Sequence, residues 1–127
     1  MPSGGNAGIN ENTAALKFYN ITPNSNYFTT SSIKIIKSIT NELFFIDNLL
    51  IKPNITIPIS SNLLELPAEL TPTKTLSFVV IDSNYNIIPL TLWSDNRLRN
   101  RVAITSSSSG TYIYLAGSVV NINDKFY

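Results

Sequence analysis

From residue 16 onward, short runs of Ile, Val, Leu, Phe, Tyr and Thr alternate with clusters of Asn, Ser, Pro and Gly. This punctuation constrains the fold more than any other feature. β-Branched and aromatic residues suit a pleated, half-buried surface, and the polar and Gly/Pro clusters suit turns. Strands are expected at 16–20, 33–39, 43–52, 54–58, 76–82, 86–93, 97–105 and 111–120. "ENTAAL" allows one helical turn, and nothing else reads as helix. Strands at this spacing, without intervening helices, point to an all-β, antiparallel β-sandwich of jelly-roll type. The segment "SSNLLELPAELTP", 60–72, reads as a link between the two halves, because Pro67 and Pro72 exclude a central strand. "TSSSSG", 105–110, reads as a loop or hairpin turn.

A chain of 127 residues is long enough for one domain and too short for two. Residues 16–127 are assigned to that domain. Residues 1–15, rich in Gly and Asn, read as a flexible leader or the end of a preceding segment. They lack the charged start and apolar core of a signal peptide. Apolar residues make up 43% and charged residues only 13%, so the surface must rely on neutral Asn, Ser and Thr. Such a surface suits sugars or self-association. A net charge of +1 argues against a nucleic-acid partner, whose affinity grows from many phosphate contacts. No apolar run approaches the length of a membrane span, so no membrane insertion is expected.

The chain contains neither Cys nor His. Disulfides, zinc sites of the usual donor types, thiol nucleophiles and His-based triads are thereby excluded. No Gly-rich phosphate loop and no calcium loop is present, and no cofactor is expected. The eight carboxylates are scattered, and a glycosidase needs two of them converging at roughly 5–10 Å. Solvated loop and edge charges are the plainer reading. Two sequons, at Asn20 and Asn54, are expected by chance in a chain this rich in Asn and Thr.

"LTLWSDNRLRNRVAI", 90–104, holds the only Trp and all three Arg residues. Opposite residues in a hairpin share a face. A two-residue loop would set Leu92 against Arg99 and Leu90 against Arg101, mixing core leucines with cations. A three-residue loop, Ser94-Asp95-Asn96, instead pairs Leu92 with Leu98 and Ile88 with Val102. It collects Trp93, Arg97, Arg99 and Arg101 on the other face. Trp93 then packs beneath neighbouring loops among solvated arginines, or lies in a subunit interface, or offers a stacking surface for a ligand. In the last case Asp95, Asn96, Arg97 and Arg99 supply polar contacts, and Tyr85, at the tip of the turn "IDSNYNII", is a further contact residue. Tyr112 and Tyr114 alternate with Ile113 and Leu115, so an inward Ile/Leu side leaves the tyrosines on an outer or intersubunit surface. Phe44, Phe45 and Phe78 are assigned to packing.

The order of these pieces resembles a known family. "SIKIIKSITNELFFIDNLLIKP" is similar to its first hairpin, and "NITIPISSNLLELPAELTP" to its strand, Leu-Pro step and second proline. "LSFVVIDSNYNIIPLTLWSDNRLRNRVAI" then runs strand, turn, strand, turn, strand, and "GTYIYLAGSVV" closes. Together, over roughly residues 27–120, they resemble the distal receptor-binding modules of tail fibre and baseplate proteins from phages of Gram-positive bacteria. Where relatives often carry Gly in the second turn, this chain has Ser94-Asp95-Asn96, and Asn or Asp tolerates the left-handed backbone such a turn needs. The resemblance implies a homotrimeric sandwich head on the virion, at a tail tip or baseplate, contacting other tail proteins. It implies non-catalytic recognition of a host cell-wall saccharide, with a trimerising tip or connector lacking its own ligand as the alternative. A wall-polysaccharide hydrolase is the least favoured reading.

Overall fold

The computed structural model describes residues 16–123. The expected leader, 1–15, and the helical turn expected in "ENTAAL" lie outside the described residues, except for Leu16, which opens the first strand. Twelve strands follow: β1 (Leu16–Ile21), β2 (Ile33–Ser38), β3 (Glu42–Phe45), β4 (Leu49–Ile51), β5 (Thr56–Ile57) and β6 (Asn62–Glu65), then β7 (Leu76–Ile81), β8 (Ile87–Leu92), β9 (Arg97–Asn100), β10 (Ile104–Thr105), β11 (Thr111–Ile113) and β12 (Val119–Asn121). One 3-10 turn, Ala68–Leu70, is the only helical element among the described residues. All strand pairs are antiparallel. One four-stranded sheet has the order β6-β9-β8-β7, and the other β12-β3-β2-β1. Two ribbons, β10-β5 and β11-β4, complete the set. The fold is thus all-β, built from several antiparallel sheets.

Apart from β6, the strands of the two four-stranded sheets sort their core residues by parity. On the first, Val80, Ile88, Leu90, Leu92 and Leu98 point into the core. On the second, Ile33, Ile35, Leu43, Phe45 and Val120 do so. Phe45 and Phe78 stack with ring centroids 5.9 Å apart, bringing β3 and β7 into contact. The expectation that all three phenylalanines pack holds for these two. Phe44 points the other way and is half-buried, in a row with Phe18, Ile36 and Val119 across the sheet.

Three of the expected long strands are in fact pairs of short ones. The run 43–52 breaks at Asp47-Asn48, because Asp47 accepts the Lys34 amide (2.7 Å) and Asn48 accepts the Ala116 amide (2.9 Å). The run 97–105 breaks after Asn100, whose side chain donates to the Val102 carbonyl at 2.8 Å. The run 111–120 breaks at a turn closed by Ser118 N–H donating to Leu115, with Gly117 at φ +89°. Each break carries the chain from one sheet to another. The stretch 60–72 is more than a link. It contains β6, which lies at a sheet edge and ends before Pro67, where a missing amide costs nothing. A bulge against β9 leaves Leu63 and Leu64 both buried and hides the strand's alternation.

Candidate functional site

The β8–β9 hairpin has the three-residue loop. Leu98 lies opposite Leu92, Arg99 opposite Thr91 and Asn100 opposite Leu90. Trp93 N–H donates to Arg97 (3.0 Å), and Asn96 N–H donates back to Trp93 (2.9 Å). Asn96 takes φ 72°, the left-handed position that closes loops of this length. Asp95 Oδ1 accepts the Arg97 amide at 3.1 Å, a local cap that Asp forms readily. β9 ends at Asn100, so the expected Ile88–Val102 pair falls beyond the ladder.

This register places Trp93, Arg97, Arg99 and Arg101 on the outward face, and the structure gives each a different setting. Trp93 is 45% exposed. The Arg99 guanidinium lies 4.7 Å from the centroid of its ring, a cation–π contact. Both terminal nitrogens of Arg99 grip Asp95, at 3.1 and 2.8 Å. This fork holds the Asp95 carboxyl below its ordinary pKa and raises that of Arg99. Arg97 donates from Nε to Glu65 of the edge strand at 3.1 Å. Such exposed pairs add little stability, but they hold long side chains in one geometry. Arg101 is exposed and forms no ion pair among the described residues.

Asn96 is placed differently from its neighbours. It is buried, and its amide nitrogen donates to the carbonyls of Leu66 (3.1 Å) and Pro67 (2.8 Å). Its own carbonyl accepts Leu66 N–H at 2.8 Å. That side-chain donor is committed to strapping the hairpin turn onto the Leu-Pro segment, so Asn96 positions the site from behind. Tyr85 is also apart. It sits 89% exposed at the tip of the β7–β8 turn, at φ 65°. The whole of β8, roughly 20 Å for its six residues, separates it from Trp93. Four expected residues, Trp93, Asp95, Arg97 and Arg99, therefore form one cluster, and Tyr85 does not join it.

Beside Trp93 lies an open groove of about 440 Å³, lined by Trp93, Arg99, Arg101, Thr91 and Ser77, with Ile59 and Ser60 as its far wall. The wall was not foreseen. Buried Asn100 holds it: its side chain accepts Ser61 N–H (2.9 Å) and donates to Pro58 (2.8 Å), and its carbonyl accepts Ser60 N–H (2.8 Å). The signal available in the sequence was Asn100 itself, a polar residue at an inward position two after Leu98. Thr91, on the central strand, is 6% exposed, and its Oγ1 finds no hydrogen-bond partner among the described residues. Among the described residues no group of three or more His, Cys, Asp or Glu could hold a metal ion.

The outward face continues away from Trp93 as an apolar surface. Val79 pairs with Pro89 and Ile81 with Ile87, and Tyr114 N–H donates to Ile81. Tyr112 and Tyr114 stack in parallel, 6.3 Å apart and both over 40% exposed, while Ile113 and Leu115 are buried beneath them. Compared with models of known protein families and with curated proteins, the chain matches none.

Proposed function

We propose that the domain is a non-catalytic adhesion module that binds a saccharide along the Trp93 groove. The observation that carries this reading is a half-exposed indole, fixed by Arg99 and Asp95, beside a groove edged with hydroxyl groups. Sugar rings present an apolar face and a rim of hydroxyls, and a site pairing an apolar shelf with a few placed polar groups meets both. Asp95 and Glu65 each engage an arginine of the cluster, which favours binding over acid–base chemistry. The Phe45–Phe78 stack supports reading the two larger sheets as a sandwich. The phage setting, a trimeric head at a tail tip or baseplate carrying weak sites in several copies, rests on the order of strands and prolines.

A specific observation favours the connector reading as second. Val79, Ile81 and Ile87, at 61%, 46% and 67% exposure, form an apolar surface of the kind that subunit contacts cover. A glycan array with the purified domain, paired with light scattering, tests both. Trp93→Ala should abolish glycan binding and leave the oligomer intact. Loss of assembly in that variant supports the connector, and a wild-type domain that binds no glycan overturns the adhesion reading.

A further inference from the structure

The charges around the groove are uneven. Arg97 is neutralised by Glu65 and Arg99 by Asp95, whereas Arg101 stands at the groove without a counter-ion among the described residues. Among the described residues no carboxylate lines the groove. Its remaining polar lining is hydroxyl, from Ser60, Thr75, Ser77 and Thr91, apart from buried Asn100, whose amide is engaged by Pro58 and Val102.

Resting on the saccharide reading, we propose that the groove selects saccharides carrying an anionic substituent, a phosphate or a carboxylate. Arg101 receives the anion. Trp93 stacks on the adjoining sugar ring. A guanidinium facing an oxyanion forms charge-assisted hydrogen bonds, roughly twice as strong as neutral ones. Arg99 does not serve this role, because Asp95 already occupies both of its terminal nitrogens.

Trp93 is the only tryptophan, so its fluorescence reports the groove directly. The domain is titrated with methyl glucoside, glucose 1-phosphate, glucuronate and inorganic phosphate at low and high NaCl. Glucose 1-phosphate or glucuronate should bind at least about tenfold more tightly than methyl glucoside at low salt, and the gap should narrow as salt screens Arg101. The two anions identify the source: lowering the pH through the carboxylate range weakens glucuronate and spares the phosphate ester. Arg101→Gln should erase the preference for the anionic sugars over methyl glucoside. Equal affinity for neutral and anionic sugars overturns the anion proposal alone, as does a preference that survives Arg101→Gln. Inorganic phosphate binding as tightly as glucose 1-phosphate overturns it too, leaving a bare anion site. No response to any sugar overturns both this proposal and the saccharide reading on which it rests.

Discussion

Replacing Asn96 tests how the candidate site is held. Its amide nitrogen makes two hydrogen bonds, to Leu66 and Pro67, and its backbone is left-handed at φ 72°. Gly keeps the backbone angle and loses both side-chain bonds. At about 1 kcal/mol net per hydrogen bond, Asn96→Gly should cost about 2 kcal/mol. Ala loses the same bonds and adds a left-handed penalty of about 1–2 kcal/mol, so Asn96→Ala should cost about 3–4 kcal/mol. Either is a large fraction of the roughly 5–15 kcal/mol that holds a domain of this size. Urea unfolding, followed by Trp93 fluorescence and far-UV circular dichroism together, measures both, and an unchanged slope assigns the loss to stability. Asn96→Asp gives a distinct signature. Asp tolerates the backbone angle, but its carboxylate faces two carbonyl oxygens, so its folded pKa is raised. Stability should therefore recover as pH falls and the protonated form donates one bond. If Ala and Gly variants are equally stable, the left-handed contribution is refuted. If both lie within about 0.5 kcal/mol of wild type, the strap itself is refuted.

Other perturbations separate backbone from side-chain effects. Tyr85 also has a left-handed backbone, φ 65°, while its side chain is 89% exposed, so Tyr85→Gly should raise stability by about 1 kcal/mol in urea unfolding and leave Trp93-detected ligand binding unchanged. A Cβ at Gly110 would stand 3.0 Å from the Ile51 carbonyl and 3.2 Å from Leu50, whereas one at Gly117 meets nothing within 4 Å. Both have positive φ, so Gly110→Ala should lower the melting temperature clearly more than Gly117→Ala. Stability should also fall in acid. The Arg99 fork holds the Asp95 pKa down, and hydrogen bonds from Lys17 (3.0 Å) and Tyr19 (2.8 Å) do the same for Glu69. Both contributions are present above the ordinary carboxylate range and disappear as pH falls through the depressed folded values. Lys17 is raised mainly by its hydrogen bond to Glu69, so its contribution disappears instead as pH rises through its folded pKa. Thermal melts from pH 2 to 11 check both limbs, and Asp95→Asn with Glu69→Gln should flatten the acid one.

The parts of the fold legible in the sequence are those decided by neighbours. The hairpin register follows from keeping Leu92 and Leu98 together, and Asn96 at the left-handed position follows from what Asn tolerates. Tyr112 and Tyr114 are outward because Ile113 and Leu115 are inward. Illegible parts depend on distant partners. Nothing near Asn96 reveals that its amide meets carbonyls some 30 residues earlier, and nothing near Ser60 reveals that Asn100 holds its turn. The split strands were hidden for a related reason. Asp47 and Asn48 look like minor interruptions of an apolar run until Lys34 and Ala116 supply the amides that bend it. β6 was hidden because its bulge buries two consecutive leucines, and a strand is recognised by alternation.

The same distinction governs the three arginines. Their two-residue spacing places them on one face, and in sequence they look equivalent. Their chemistry is set by which acid lies within reach. Glu65 arrives on the edge strand and meets Arg97 directly across the ladder, while Asp95 sits four residues before Arg99 in the turn that Asn96 anchors. No third acid reaches Arg101 among the described residues. Two arginines thereby become framework, one bracing the edge and one bracing the indole. Arg101, the third, keeps its charge for whatever enters the groove. Among the described residues, the basic stripe of three is in physical terms a single unpaired cation beside an aromatic shelf. On the proposed saccharide reading, that one cation discriminates a single anionic group on a sugar.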